Sequence, residues 1–466
     1  MSQLQPRNAR EVAYALLLSV AQDAAYANLL LPRLLNKAHL EQRDAAFAQE
    51  MSFGTLRWQG FYDRIIAIAA NRSSTEIDAP ALCLLRLGAH QLLGMRVPSH
   101  AALSETVDLA KRVLHQSAVG FINGVLRRVS EKTREEWLDD LLVGVTDKVE
   151  LLSIEHSHPE WIIRAFDHAL RVDGRAEQLE ALLEADNEPT NVNIVALPGF
   201  ARPEDTEELV PGGASPIGFS LNSGDPARLP GIVAGRLRVQ DQGSQLAGIL
   251  FVNAAPVAEG ERWLDLCAGP GGKAALLAAV AAQTGADLTA NEVLEHRAGL
   301  VRQAIKPINP NVRVTNNDGR EFGKNHPATY DRILVDAPCT GLGSLRRRPE
   351  SRWTKSSADL AELNKLQWQL LDSAWTALKP GGVVAYVTCS PHQAETNGIV
   401  VQAQKAWGED LEVLDANALL AELNPALELN RGRRTVQLWP QIHGTDAMFI
   451  ALLRKRPAGE LETKRD

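Results

Sequence analysis

After Arg236 the sequence falls into a rhythm that few folds accommodate. Short apolar runs alternate with stretches of helical period. WLDLCAG precedes a helical stretch over Gly272–Gln283, and DLTANEV precedes one over Glu295–Ile305. VRVTNND, YDRILVDAP, a long helix from about Ser357 to Leu378, GGVVAYVTCS and a helix over Gln393–Trp407 complete the series. Strands alternating with helices predict a parallel sheet wound on both faces, a Rossmann-like α/β domain. Ligands of such sheets gather outside the carboxyl ends of the strands. Cys267, Glu292, Asp318, Asp336, Cys339 and Cys389 all fall at or just past predicted strand ends, so they are expected on one rim.

Upstream the pattern differs. Residues 1–140 repeat apolar positions at spacings of three and four through Val12–Val20, Ala45–Leu56, Tyr62–Ala70 and Ala81–Leu93, with breaks at Ser73–Ser74, Pro80 and Pro98. This predicts an all-α domain. Residues 141–235 read as a small α+β connector: a helical part over Trp161–Leu183, a short strand in TNVNIVAL, then 12 Gly or Pro in the 34 residues from Pro198 to Gly231. The α/β domain is expected over 236–456, with 457–466 a disordered tail.

Charge and cysteine usage narrow the partners. The chain carries a net charge of -8, yet residues 1–130 hold 14 basic against 10 acidic side chains, which suits nucleic acid at that end. Cys83, Cys267, Cys339 and Cys389 are far apart and show no CxxC spacing. No zinc site, no other metal and no disulfide framework is therefore expected, and a reducing cytoplasm is. AALLAAVAA from Ala274 is too short to cross a bilayer, so no membrane partner is expected.

The loop Cys267-Ala268-Gly269-Pro270-Gly271-Gly272-Lys273 lets backbone approach a ligand closely. It lacks both the GxxxxGK[ST] and the GxGxxG spacings. Glu292, at the next strand end, is placed to accept from ribose hydroxyls, and Asp318 from an adenine amino group; each acid could equally cap its following helix. Together, with no phosphate cradle, they point to S-adenosylmethionine rather than ATP or NAD.

A cysteine after an apolar strand is commonly buried filling. Two, one in DAPC and one in TCS, suggest chemistry instead. A thiolate adds to carbon 6 of cytosine and makes carbon 5 nucleophilic toward a sulfonium methyl. Asp336, kept rigid by Pro338, is placed to polarise the ring, and a second cysteine to assist release. Cys83 and Cys267 read as structural.

LDLCAGPGGK, DAPCTGLG with RRRPESRW, and YVTCSPHQAET resemble signature blocks of the bacterial RNA (cytosine-5) methyltransferases. VQDQGSQLA and PQIHGTDAMFIALL are similar to two further blocks, SHPEWIIRAF to the preceding subdomain, and HAALSETVDLAKR with GFINGVLRRV to the NusB-type RNA-binding helical domain. The order resembles the small-subunit rRNA enzymes of the position-967 class, the Sun/Fmu family. That resemblance implies Cys389 as nucleophile and Cys339 as the aid to product release. It further implies Cys267–Lys273, Glu292, Asp318 and Asp336 around S-adenosylmethionine, and Lys273 holding the base or orienting Asp336. Glu292 replaces the family's usual Asp, Ala447-Met448 its Gly-Phe, and NVNIV lacks its arginine. Ala447-Met448 is expected against the last strand rather than near the chemistry.

Arg346, Arg347, Arg348, Arg352 and Lys355 follow the Cys339 loop and read as phosphate contacts, with Trp353 stacking on a base or packing. Arg127 and Arg128 add a second RNA grip. The expected partner is RNA, 16S rRNA by resemblance, met by a monomer. The alternatives are a tRNA enzyme, a DNA cytosine methyltransferase and an inactive assembly factor.

Overall fold

The computed structural model describes residues 5–222 and 224–457; from 458 on, the expected tail lies outside them. The chain divides into two compact units. The first holds residues up to Arg164 together with Asp186–Glu188 and Leu345–Lys355; the second holds 165–185, 189–344 and 356 onward. The stretch expected as a connector is thus shared between them.

In the first unit the sequence breaks became caps. Asn8, Asp78 and Thr133 each accept from a backbone N–H in the first turn of helices Ala9–Asp23, Ala79–Leu93 and Arg134–Leu142. Pro80 sits in the first turn of its helix and Pro98 at the cap of Ser99–Val113, where no helical N–H is lost. Val12, Leu16, Tyr62, Ile65, Leu84, Leu87, Ile122 and Leu126 are buried in one apolar core. Helix Ala79–Leu93 crosses Gln116–Val129 closely at Gly88, where a Cβ would meet Leu126 Cδ1 at 2.6 Å.

The second unit carries two sheets. The smaller is antiparallel, with strands β1 Val192–Ala196, β2 Val210–Pro211, β3 Gly218–Leu221 and β4 Leu237–Val239 in the order β2-β3-β1-β4. The larger uses β5 Arg262–Asp265, β6 Asp287–Asn291, β7 Arg313–Thr315, β8 Tyr330–Asp336, β9 Leu378–Thr388, β10 Leu411–Val413, β11 Val436–Gln437 and β12 Phe449–Lys455. Its order is β10-β12-β9-β8-β5-β6-β7, with β11 paired to β12. From β7 to β9 the pairs are parallel; β12 runs antiparallel to β9 and β10, so the sheet is mixed rather than purely parallel.

Side chains alternate between two cores, as a pleated strand requires. Trp263, Leu334 and Ala385 pack with the Ala-rich helix Gly272–Thr284 and helix Glu295–Ile305. Leu264, Ile333, Val335, Val384 and Tyr386 pack with Asp359–Ala377 and Asn397–Trp407.

Candidate active site

Topology brings the two cysteines together. β8 and β9 are hydrogen-bonded neighbours, with Asp336 opposite Val387. The loops leaving them carry Cys339 and Cys389, whose sulfurs lie 3.5 Å apart. Gly343 N–H donates to the Cys389 carbonyl at 2.9 Å, tying one loop to the other. The Cys389 contact, then burial, holds the Cys339 thiol well above its ordinary value.

Lys273, in the first turn of the helix after the glycine loop, donates to Asp336 Oδ2 at 2.8 Å. Burial pulls its ammonium down, but Asp336 first, then Cys389 and Asp265, more than offset that, so it stays protonated. Lys273 also interacts electrostatically with Cys389. The Lys273–Asp336 ion pair is the contact that an orienting role for Lys273 requires.

The glycine loop meets Glu292. Oε2 accepts from Gly269 N–H at 3.1 Å and Oε1 from Leu294 N–H at 3.0 Å, while Arg297 donates to the Gly269 carbonyl at 2.6 Å. Gly269 has no room for a side chain: a Cβ would stand 2.1 Å from Glu292 Oε2. Gly271 is left-handed, φ 110°, and packs on Ala304. Cys267 and Ala268 lead into this cradle and Pro270 is exposed at its tip. Burial holds the Cys267 thiol well above its ordinary value, which suits lining and not attack. An open backbone loop beside a buried acid fits an adenosine-bearing cofactor.

Asp318 answers differently. Its carboxylate accepts from Arg320 N–H at 3.0 Å, capping a short turn, and from the Arg320 guanidinium at 2.5 Å. Arg320 holds its pKa below the ordinary carboxylate value. Asp318 thus makes the capping contact weighed for it in the sequence.

Two acids escaped the sequence reading. Asp265, the last residue of β5, is fully buried, with the Cys267 backbone N–H directed at its carboxyl. Burial, then the Asp336 carboxylate, pushes it up to about 8. Glu395 is fully buried between the cysteine loops. The acid in CAGPGGK's leading strand and the one in HQAET were both in view as residues, but only their neighbours' positions show what they meet. Ala447 likewise differs from expectation: its N–H donates to the Gly343 carbonyl at 2.8 Å, so it braces the loop that follows Cys339.

The arginine run needs correction. Leu345–Lys355 belongs to the helical unit. Arg352 is 0% exposed and donates to the carbonyls of Arg57, Ser157 and Asp186 and to Asn187 Oδ1. A guanidinium without surface cannot hold a phosphate. Trp353 packs, its indole N–H on the Leu56 carbonyl at 2.7 Å. Arg348 lies over the Tyr26 ring, 4.6 Å from its centroid. Arg346, Arg347 and Lys355 are half-buried. Arg127 and Arg128 are exposed on their helix, Arg128 bonded to the Ala69 carbonyl. Among the described residues no cluster suited to a metal ion occurs, and no helix is long and apolar enough to cross a membrane.

Comparison with known proteins agrees with this geometry. A family model described as 16S rRNA methyltransferase RsmB/F matches residues 253–454, and one described as the NusB family matches 7–131. A putative methyltransferase of Mycobacterium tuberculosis is 44% identical over 96% of both chains. The ribosomal RNA small subunit methyltransferase B of Pseudomonas syringae pv. tomato is 32% identical over 96% of this chain and 97% of its own. The crystal structure of PH0851 shares the fold, with a TM-score of 0.80 at 20% identity over 96% of this chain and 99% of that one. Joined to a cysteine pair and a glycine cradle on one rim, these matches place the chain in the RsmB/F family of S-adenosylmethionine-dependent rRNA methyltransferases, with a NusB-family domain at residues 7–131.

Proposed function

We propose that this enzyme methylates carbon 5 of a cytosine in 16S rRNA, of the position-967 class, through a covalent cysteine adduct. The observation that carries the reading is the sulfur pair: two thiols 3.5 Å apart beside a Lys273–Asp336 ion pair. The Cys389 thiolate attacks carbon 6, and the S–C6 bond raises electron density at carbon 5. S-adenosylmethionine, held by Cys267–Lys273, Glu292, Asp318 and Asp336, supplies the methyl group. Asp336 accepts from the exocyclic amine and polarises the ring, with Lys273 fixing its orientation. A solvent base, assisted by Cys339, takes the carbon 5 proton; the C5–H electron pair re-forms the C5=C6 double bond and the S–C6 pair leaves with the Cys389 sulfur as thiolate. The target cytosine must be unpaired or flipped from its stack for either face to be reached. Arg127, Arg128, Arg346, Arg347, Arg348 and Lys355 are the side chains proposed to meet RNA phosphates. The protein acts as a monomer in the cytoplasm, where free thiols persist.

Cys389→Ala is expected to abolish methylation with cofactor binding retained, and Cys339→Ala to accumulate a protein–RNA adduct that survives a denaturing gel. Adduct in the Cys389→Ala variant alone would exchange the two roles. Bisulfite sequencing of rRNA and tRNA from a deletion strain locates the base; loss of a tRNA signal would move the substrate class.

A further inference from the structure

Glu395 is an ionisable side chain buried to 0% exposure, six residues beyond Cys389. Burying a carboxylate is costly unless donors meet it, and four neutral donors do. Oε1 accepts from Thr340 N–H at 2.8 Å and from the Gln367 amide at 3.1 Å. Oε2 accepts from the Thr340 hydroxyl at 2.5 Å and the Ser390 hydroxyl at 2.6 Å. Thr340 follows Cys339 directly and Ser390 follows Cys389 directly. Gln367 also donates to the Pro338 carbonyl at 2.9 Å, so the peptide before Cys339 is held from the same point. The Glu395 carbonyl in turn accepts from the buried Tyr386 hydroxyl at 2.8 Å, anchoring the acid to β9. One carboxylate therefore grips the residue after each sulfur. Charge-assisted bonds of this length are stronger and stiffer than neutral ones.

We propose that Glu395 is the positioning residue of the sulfur pair, setting the separation of Cys339 and Cys389 by clamping the two loops that carry them. The role rests on reading the two cysteines as a working pair, and its test does not require the target base to be known. A carboxylate suits the place because each oxygen accepts twice. Glutamine retains the geometry: its oxygen serves Thr340 N–H and Gln367, and its amide donates to two hydroxyls that can turn and accept. Alanine removes the clamp.

Phenylarsine oxide reads the separation directly, since one arsenic bridges two thiols only when they are close. Capture by the intact chain is expected to need both Cys339 and Cys389. Glu395→Ala, shown folded by circular dichroism, should lose capture affinity at least about tenfold and kcat about a hundredfold, with KM for the cofactor little changed, as misplacement of a reacting group by an ångström predicts. Glu395→Gln should stay within about threefold of the parent in capture, an effect near the size of one altered hydrogen bond. Parent-like capture by folded Glu395→Ala overturns the proposal, and so does capture as poor in the Gln variant as in the Ala one. Should the Ala variant not fold, Ser390→Ala decides: weakened capture supports the clamp and unchanged capture overturns it. If the parent methylates no cytosine at carbon 5, the proposed reaction falls while the capture results stand.

Discussion

Arg352 shows how far one side chain can depart from the company it keeps in sequence. It stands in a basic run, RRRPESR, yet burial pulls its guanidinium down to about 9 and four oxygens of the helical unit surround it. Removing it would orphan buried acceptors, so Arg352→Ala is expected to destabilise the protein by about 3 kcal/mol. RNA affinity of the folded fraction should keep its salt dependence, because no phosphate contact is lost; a shallower slope would restore Arg352 as an RNA ligand. Beside it His158 is fully buried, and burial, then Arg352, holds its pKa well below the ordinary value. The unfolded chain takes up this proton below about pH 6.5 and the native state does not, so stability is full above that pH and falls as pH drops. The urea midpoint should decline from pH 7 toward 5, and His158→Gln should flatten the curve by up to about 1.4 kcal/mol per pH unit. An unchanged curve would mean His158 is protonated in the fold. Neither fate was legible beforehand: the partners lie at 57, 157 and 186–187, and no local pattern announces them.

At the scale of elements the sequence said more. Short apolar runs between helical stretches located β5, β6, β8 and β9, and helix Glu295–Ile305 lies where its spacing put it. The shared rim followed from a general rule about parallel sheets and not from any pairwise signal. Strand order did not follow. That β8 and β9 are neighbours, and that β12 inserts antiparallel beside β9, depends on which faces pack best together. Loop bracing was equally hidden. Gly343, four residues past Cys339, sits so close to Ala447 that a Cβ would stand 2.2 Å from its carbonyl oxygen. Gly343→Ala must therefore move the loop that also bonds the Cys389 carbonyl. Turnover is expected to fall about a hundredfold, with cofactor affinity kept, since the cradle lies on another loop. Parent-like kcat in that variant would show the loop tolerates displacement.

Across the whole molecule the chain does not complete one unit before beginning the next. It leaves the catalytic unit after Ser344, spends Leu345–Lys355 in the helical unit, and returns at Ser356. Within that piece Glu350 accepts from the Ala27 N–H, Arg352 meets Arg57 and Trp353 meets Leu56, so the N-terminal helices depend on residues some three hundred positions away. Ribosome-bound chains halted at Ser344 should be cut within the first 164 residues several times faster than chains with Lys355 clear of the exit tunnel. Equal cleavage would show the helices stand without the insert. Domains ordinarily mature in the order they are synthesised. Here the first-made helices must wait, partly open, while strands β5 to β8 emerge, and a late eleven-residue peptide closes them. On this reading translation order and maturation order come apart: every residue of the helical unit has been made before the Cys389 strand begins.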